Sequence, residues 1–120
     1  MKDSLATGIT TEQRYTVTDE MAPPHLPVKV LSTPSMIQLI EGTCLGLAQQ
    51  HLDDGELTVG THVCVSHSGA AMSGEEVTIN AELTTIEKRR LTFTTTVTAA
   101  SGVISEGTHQ RAVIQANRFG

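Results

Sequence analysis

The 120-residue sequence predicts an α+β domain in which one antiparallel β-sheet curves around a single long central helix. Three observations carry that expectation. Between Thr33 and His51 apolar residues recur at helical spacing nearly all the way round the wheel, so the helix is enclosed on more than one side. Between Val59 and Ala116 apolar and polar residues alternate in four runs, as strands with one buried face do. Short connections join those runs, which makes neighbouring strands antiparallel.

Residues 1–11 are polar and contain glycine and threonine, and they read as a loosely held arm of a single domain spanning residues 1–120. From Glu12 to Thr18, Tyr15 and Val17 alternate with Thr16 and Thr18 as a first strand. Ala22 to Pro27 holds three prolines and His25 and can be neither helix nor central strand. Val28 to Leu31 is a short extended lead into the helix, where Thr33 is placed to cap and Pro34 to open the first turn. The helix presents Met36, Ile37, Ile40, Cys44, Leu47 and Ala48 as one apolar face, widened by Leu39 and Leu45. Glu41 stands at the edge of that face, as a buried-edge functional group or an ordinary solvated one. Gly42 and Gly46 each cost up to about 1 kcal/mol of helix propensity, which is best repaid where another backbone comes close.

Beyond the helix, Asp53-Asp54-Gly55-Glu56 reads as a solvated turn. Val59 to Ser68 alternates with Thr61, Val63, Val65 and His67 on one side, and Ser68 to Glu75 reads as a bend or bulge. Glu76 to Ile86 turns Val77, Ile79, Ala81 and Leu83 inward. Leu91 to Ala100 sets Leu91, Phe93, Thr95 and Val97 against a ladder of Thr92, Thr94, Thr96 and Thr98, a pattern suited to a half-solvated sheet. A last strand runs from Val103 to Ala116, with Asn117 to Gly120 as a tail. A single layer of sheet leaves two edges, and two copies joined edge to edge would protect them and enclose a cleft, so a C₂ homodimer is expected. The alternative is a monomer whose helix lies on an open sheet.

Composition excludes several functions. Thirteen acidic and 8 basic residues give a net charge of -5, and aromatic residues are scarce, with one Tyr, two Phe and no Trp. Nucleic acid is disfavoured on both counts, for want of positive charge and of stacking platforms. No apolar run reaches 18 residues and no secretory segment is present, so the expectation is a cytoplasmic protein without membrane attachment. Cys44 and Cys64 read as reduced core residues, and no metal-ligand spacing occurs.

Glu41 and His67 are the pair suited to chemistry. A carboxylate can attack an acyl carbon or take a proton from water, and an imidazole can act as base, acid or orienting donor. Thr33 adds a hydroxyl where helix amides can stabilise an oxyanion, although capping alone also explains a threonine there. The plain alternative for His67 is a satisfied interior or edge residue. His25 reads as an exposed loop residue or a lid contact. Arg111 shares a face with His109, facing either a substrate anion or a surface salt bridge. Lys88, Arg89 and Arg90 form the basic cluster of the chain, a solvated turn or a site for a small polyphosphate headgroup such as that of coenzyme A.

The runs V-G-T-H-V-C-V-S-H-S-G-A-A from Val59 to Ala71, A-E-L-T-T-I-E-K-R-R-L from Ala81 to Leu91 and G-T-H-Q-R-A-V-I from Gly107 to Ile114 occur in order and at suitable intervals. Through them, residues 12 to 116 resemble the hot-dog-fold thioesterases, and within these the fluoroacetyl-CoA thioesterase-like group. That resemblance implies a homodimer, or a dimer of dimers, which holds an acyl-CoA thioester at the subunit interface and needs no cofactor beyond the coenzyme A of its substrate. It implies Thr33, Glu41 and His67 as catalytic residues, and Gly60, Gly69, Val28 and Arg111 as substrate contacts. Lys88, Arg89 and Arg90 are the residues offered to the coenzyme phosphates. The chain departs from the group in its lid, where Val28, Val30 and Leu31 stand in place of bulky aromatic residues. A small or medium acyl group is therefore expected rather than selectivity for a fluorinated one. The runner-up function is a non-catalytic acyl-CoA or small-ligand binding protein. A hot-dog dehydratase is disfavoured because the closely spaced Asp and His of that chemistry are missing.

Overall fold

The computed structural model describes residues 1–118, and their strands form one antiparallel sheet beside one long helix. Strand β1 spans Thr10–Thr16, helix α1 Thr33–Gln49, β2 Glu56–Val65, β3 Glu76–Glu87, β4 Arg90–Ala99 and β5 Gly102–Gln115. Their order across the sheet is β1-β3-β4-β5-β2, which leaves β1 and β2 as edges. Helix α1 packs against β1, β2, β3 and β5, so the curved sheet holds it as expected.

The helical period decides what that helix buries. Met36, Ile40, Cys44, Leu47 and Ala48 recur every three or four residues and meet Val77, Ile79, Ala81 and Leu83 of β3 and Leu91, Phe93 and Val97 of β4 in one core. Each fully buried aliphatic side chain among them contributes roughly 1.5–3 kcal/mol. Thr43 is buried too, and its hydroxyl donates to the Leu39 carbonyl at 2.8 Å while accepting from the Tyr15 hydroxyl at 3.0 Å. Leu45, expected to widen the apolar face, is instead exposed.

Several expectations from the sequence are corrected. The cap of α1 is Ser32, whose hydroxyl accepts from the Ser35 amide at 3.2 Å. Thr33 is the first helical residue, which frees its side chain for other work. Residues 1–9 are packed rather than loose. The Lys2 amide donates to the His51 carbonyl and that of Gly8 to the Leu83 carbonyl, Leu5 is buried, and the Met1 ammonium pairs with Asp53 and Glu56. Glu56 is therefore no solvated turn residue but the buried start of β2. Among the described residues nothing outside the helix's own backbone lies within 4 Å of where a Cβ on Gly42 or Gly46 would stand, and both line a groove beside Tyr15 and Gln13.

The most consequential correction lies in β2. Its register slips between Gly60 and His62, since Gly60 pairs with Arg111 but His62 with Gln110. This bulge at Thr61 breaks the simple alternation read from the sequence. Gly60 and Val63, three apart, consequently sit opposite Arg111 and His109 on the helix side of the sheet.

Candidate functional site

Two polar clusters lie between α1 and the β2–β5 side of the sheet. The first joins Thr33 and His67, with Thr33 Oγ1 2.7 Å from His67 Nδ1. Thr33 stands at the open end of α1, where first-turn amides lack helical partners. His67 follows β2 in a segment fixed by the Ser66 amide bonding to the Glu106 carbonyl and the Ser68 amide to that of Ile104. The pair opens on a cleft of about 520 Å³ with apolar walls from Leu26, Val30 and Leu31. Gly69 is among the residues that line it, and a Cβ there would meet Ile104 Cγ2 at 2.7 Å. His25 contributes to the rim. Val28 does not line the cleft and points to solvent, 49% exposed, so that substrate contact is not borne out within the protomer.

The second cluster is built around Glu41, 40% exposed, whose Oε2 lies 3.7 Å from Arg111 Nη1 and 4.0 Å from His109 Nε2. Arg111 is only 4% exposed, which removes the surface salt bridge as its explanation. Its Nε donates to Thr58 Oγ1 at 2.8 Å, its Nη2 to the Thr58 carbonyl at 3.0 Å and its Nη1 to His109 Nε2 at 3.1 Å. Burial lowers the Arg111 pKa, with Glu41 acting the other way. Burial likewise pushes His109 below the ordinary histidine value, against the opposing effect of its bond to the His62 carbonyl. The buried Cys44 thiol nearby is raised to about 12, chiefly by desolvation. Gly60 completes the cluster by omission, since a Cβ on it would stand 2.6 Å from Glu41 Oε2.

Within one protomer, then, Thr33 and His67 meet while Glu41 belongs elsewhere. Eight residues separate Thr33 from Glu41, a rise of about 12 Å along the helix axis. The expectation that Glu41 and His67 share one gap is not met inside a single chain. Lys88, Arg89 and Arg90 lie farther still. Lys88, at a φ of 57°, and Arg89 form the β3–β4 turn, and Arg90 opens β4, where it pairs with Ala112. Arg118 joins Arg89 around a neighbouring recess of about 260 Å³, a cation the sequence did not flag. Thr58 and His109 were also missed as partners of Arg111. The T-H-Q-R spacing put His109 and Arg111 on one face, but only the bulge identifies that face as the inner one.

Comparison with known proteins identifies the family of this chain. The family described as fluoroacetyl-CoA-specific thioesterase (FlK) matches residues 11–117. The chain belongs to that family. It is 36% identical to the fluoroacetyl-CoA thioesterase of Streptantibioticus cattleyicolor, with 99% of this chain and 92% of that protein covered. It also superposes on the structure of the fluoroacetyl-CoA thioesterase FlK with a TM-score of 0.91 at 31% identity, over 98% of this chain and 93% of the other. A thioesterase-superfamily protein of Thermus thermophilus shares the fold, with a TM-score of 0.86 at 20% identity and coverage of 95% and 87%. The fold is thus the hot-dog fold of the thioesterases, as the sequence motifs implied, and family membership places the chain among the acyl-CoA thioesterases.

Proposed function

We propose that this protein hydrolyses a short acyl-CoA thioester in clefts completed by two copies of the chain, with Thr33 and His67 of one copy facing Glu41 of the other. The observation that carries this reading is the 2.7 Å Thr33–His67 pair at the mouth of an apolar cleft, about 12 Å along the helix from Glu41 of the same chain. Strand β2 is an edge, with backbone groups free to pair. Antiparallel pairing of two β2 strands about a twofold axis would set the Glu56 end of one beside the Val65 end of the other. Glu41, which lies over Gly60, would then approach the partner cleft.

In that site the thioester carbonyl faces the first-turn amides of α1 and the Thr33 hydroxyl, which oppose the charge developing on oxygen. His67 orients Thr33 and exchanges protons with the leaving thiol, while Glu41, steadied by Arg111, acts on the acyl carbon directly or through water. Leu26, Val30 and Leu31 favour a small aliphatic acyl group. The same twofold arrangement carries the basic turn of Lys88, Arg89 and Arg90 toward the cleft end of the partner sheet, where it suits the phosphates of coenzyme A.

A panel of acyl-CoA substrates with free-thiol detection tests the activity, and no thiol release from any short acyl-CoA overturns it. Mixed dimers test the architecture. Thr33→Ala and Glu41→Ala subunits, each impaired alone, should recover about a quarter of wild-type activity when mixed in equal amounts, because about half of the dimers are then mixed and each mixed dimer holds one intact site of two. No recovery in demonstrated mixed dimers would place Glu41 in the same protomer's site.

A further inference from the structure

We propose that His109 is a positioning residue for the Glu41 side of the site, locked as a neutral imidazole that carries its proton on Nδ1 and offers a bare Nε2 to Arg111. This rests on the thioesterase reading for its effect on rate, but the tautomer itself does not. His109 is fully buried, and its Nδ1 lies 2.8 Å from the His62 carbonyl. A carbonyl oxygen only accepts, so Nδ1 must hold a proton. Arg111 Nη1 is 3.1 Å from Nε2, and a guanidinium only donates, so Nε2 must be bare. A doubly protonated ring would turn that contact into two donors facing each other beside a buried cation.

The β2 bulge is the origin of this lock. The residue beyond the slip, His62, sends its backbone carbonyl to His109 on β5. Phe93 of β4 stacks near the ring, with centroids 6.5 Å apart and planes inclined by 27°. The titratable groups around His109 are Arg111 of β5, Glu41 of α1 and His62 of β2. With Thr58 holding Nε and Nη2 and His109 holding Nη1, the guanidinium is fixed from three sides. Its remaining freedom is directed at the Glu41 carboxylate. His109 thus acts on Glu41 through Arg111 and touches no substrate.

Two experiments test this. In histidine-selective ¹⁵N NMR of the whole protein at neutral pH, the buried ring should show a protonated Nδ1 and an unprotonated Nε2. A proton on Nε2, or on both nitrogens, overturns the proposal. Among variants, His109→Gln keeps an oxygen for Arg111, whereas His109→Asn keeps the donor to His62 and leaves Arg111 without its acceptor. Folded His109→Asn should lose about 10- to 100-fold in kcat, the range for losing a charge-assisted hydrogen bond, and His109→Gln should restore most of it. Equal losses in both folded variants, or none in either, refute the positioning role. If the wild type cleaves no thioester the proposed function fails, and the NMR result alone decides the tautomer. The NMR result also decides it if a variant does not fold.

Discussion

Replacing Gly60 by alanine isolates the contact between helix and strand on which the Glu41 cluster depends. The new Cβ would stand 2.6 Å from Glu41 Oε2, 3.3 Å from His109 Cε1 and 3.4 Å from Arg111 Nη1. His109 and Arg111 are buried and held by hydrogen bonds, whereas the Glu41 carboxylate ends a flexible, partly exposed side chain. The carboxylate therefore yields. Going from 2.6 Å to the 3.4 Å at which ordinary contact begins is a retreat of about 0.8 Å. A partly exposed ion pair such as Glu41–Arg111 contributes at most about 1 kcal/mol to stability. The melting temperature of G60A should accordingly fall by no more than about 4 °C. Catalytic geometry is far less forgiving, since a displacement near 1 Å can cost about 100-fold. We expect kcat/KM for short acyl-CoA hydrolysis to drop about 10- to 100-fold, measured by thiol release beside a thermal melt. A value within about twofold of wild type would sink the reasoning. So would a melting temperature lowered by more than about 10 °C, because the strand rather than the carboxylate would then have moved.

Other expectations follow from the same structure. Ser32→Ala should destabilise the fold by about 1 kcal/mol through the lost cap, while Thr33→Ala should leave stability nearly unchanged and reduce turnover; paired melts and rate measurements check the contrast. At pH 8 a thiol reagent should modify exposed Cys64 and leave Cys44 untouched until the protein is denatured, as mass spectrometry of the labelled peptides would reveal. Because the Cys44 pKa is raised from 9.0 to about 12, its contribution to stability is complete below pH 9 and fades as pH climbs toward 12. His109 behaves oppositely. Its folded pKa lies below the ordinary histidine value of 6.5, so the unfolded chain binds more protons and stability falls as pH drops below 6.5 toward the lowered value. Denaturant melts of wild type and His109→Gln across that window should converge at acidic pH.

Much of the fold was legible because long periodic segments reveal what they bury. The wheel around Met36, Ile40, Cys44 and Leu47 and the alternation of Val77, Ile79, Ala81 and Leu83 placed helix and sheet correctly. Local competition hid the rest. Ser32 and Thr33 are both good caps, and only the observed backbone shows which residue lies outside the helix. The bulge at Thr61 inserts a residue without any glycine or proline marker at that position, so the inward turn of Gly60 could not be read from alternation. The arm looked weak because its polar residues outnumber Leu5 and Ile9, yet its hydrogen bonds to His51 and Leu83 hold it in place. At the site, Thr33 and His67, both named through motif resemblance, stand in hydrogen-bond contact, and the eight-residue helical spacing already sets Glu41 about 12 Å along the axis from Thr33, whereas no local pattern reports the contact of Glu41 with Arg111 and His109 across the core.

That rod acts as a ruler. Each residue added to or removed from the interval between Ser32 and Glu41 would turn everything beyond it by about 100° and shift it by about 1.5 Å. A single insertion would thus swing the carboxylate off the arginine altogether while leaving the hydroxyl–imidazole couple intact. Changes of acyl preference are accordingly open to the walls near Leu26 and Val30, where side chains can be exchanged without altering the count of residues between the two chemical ends.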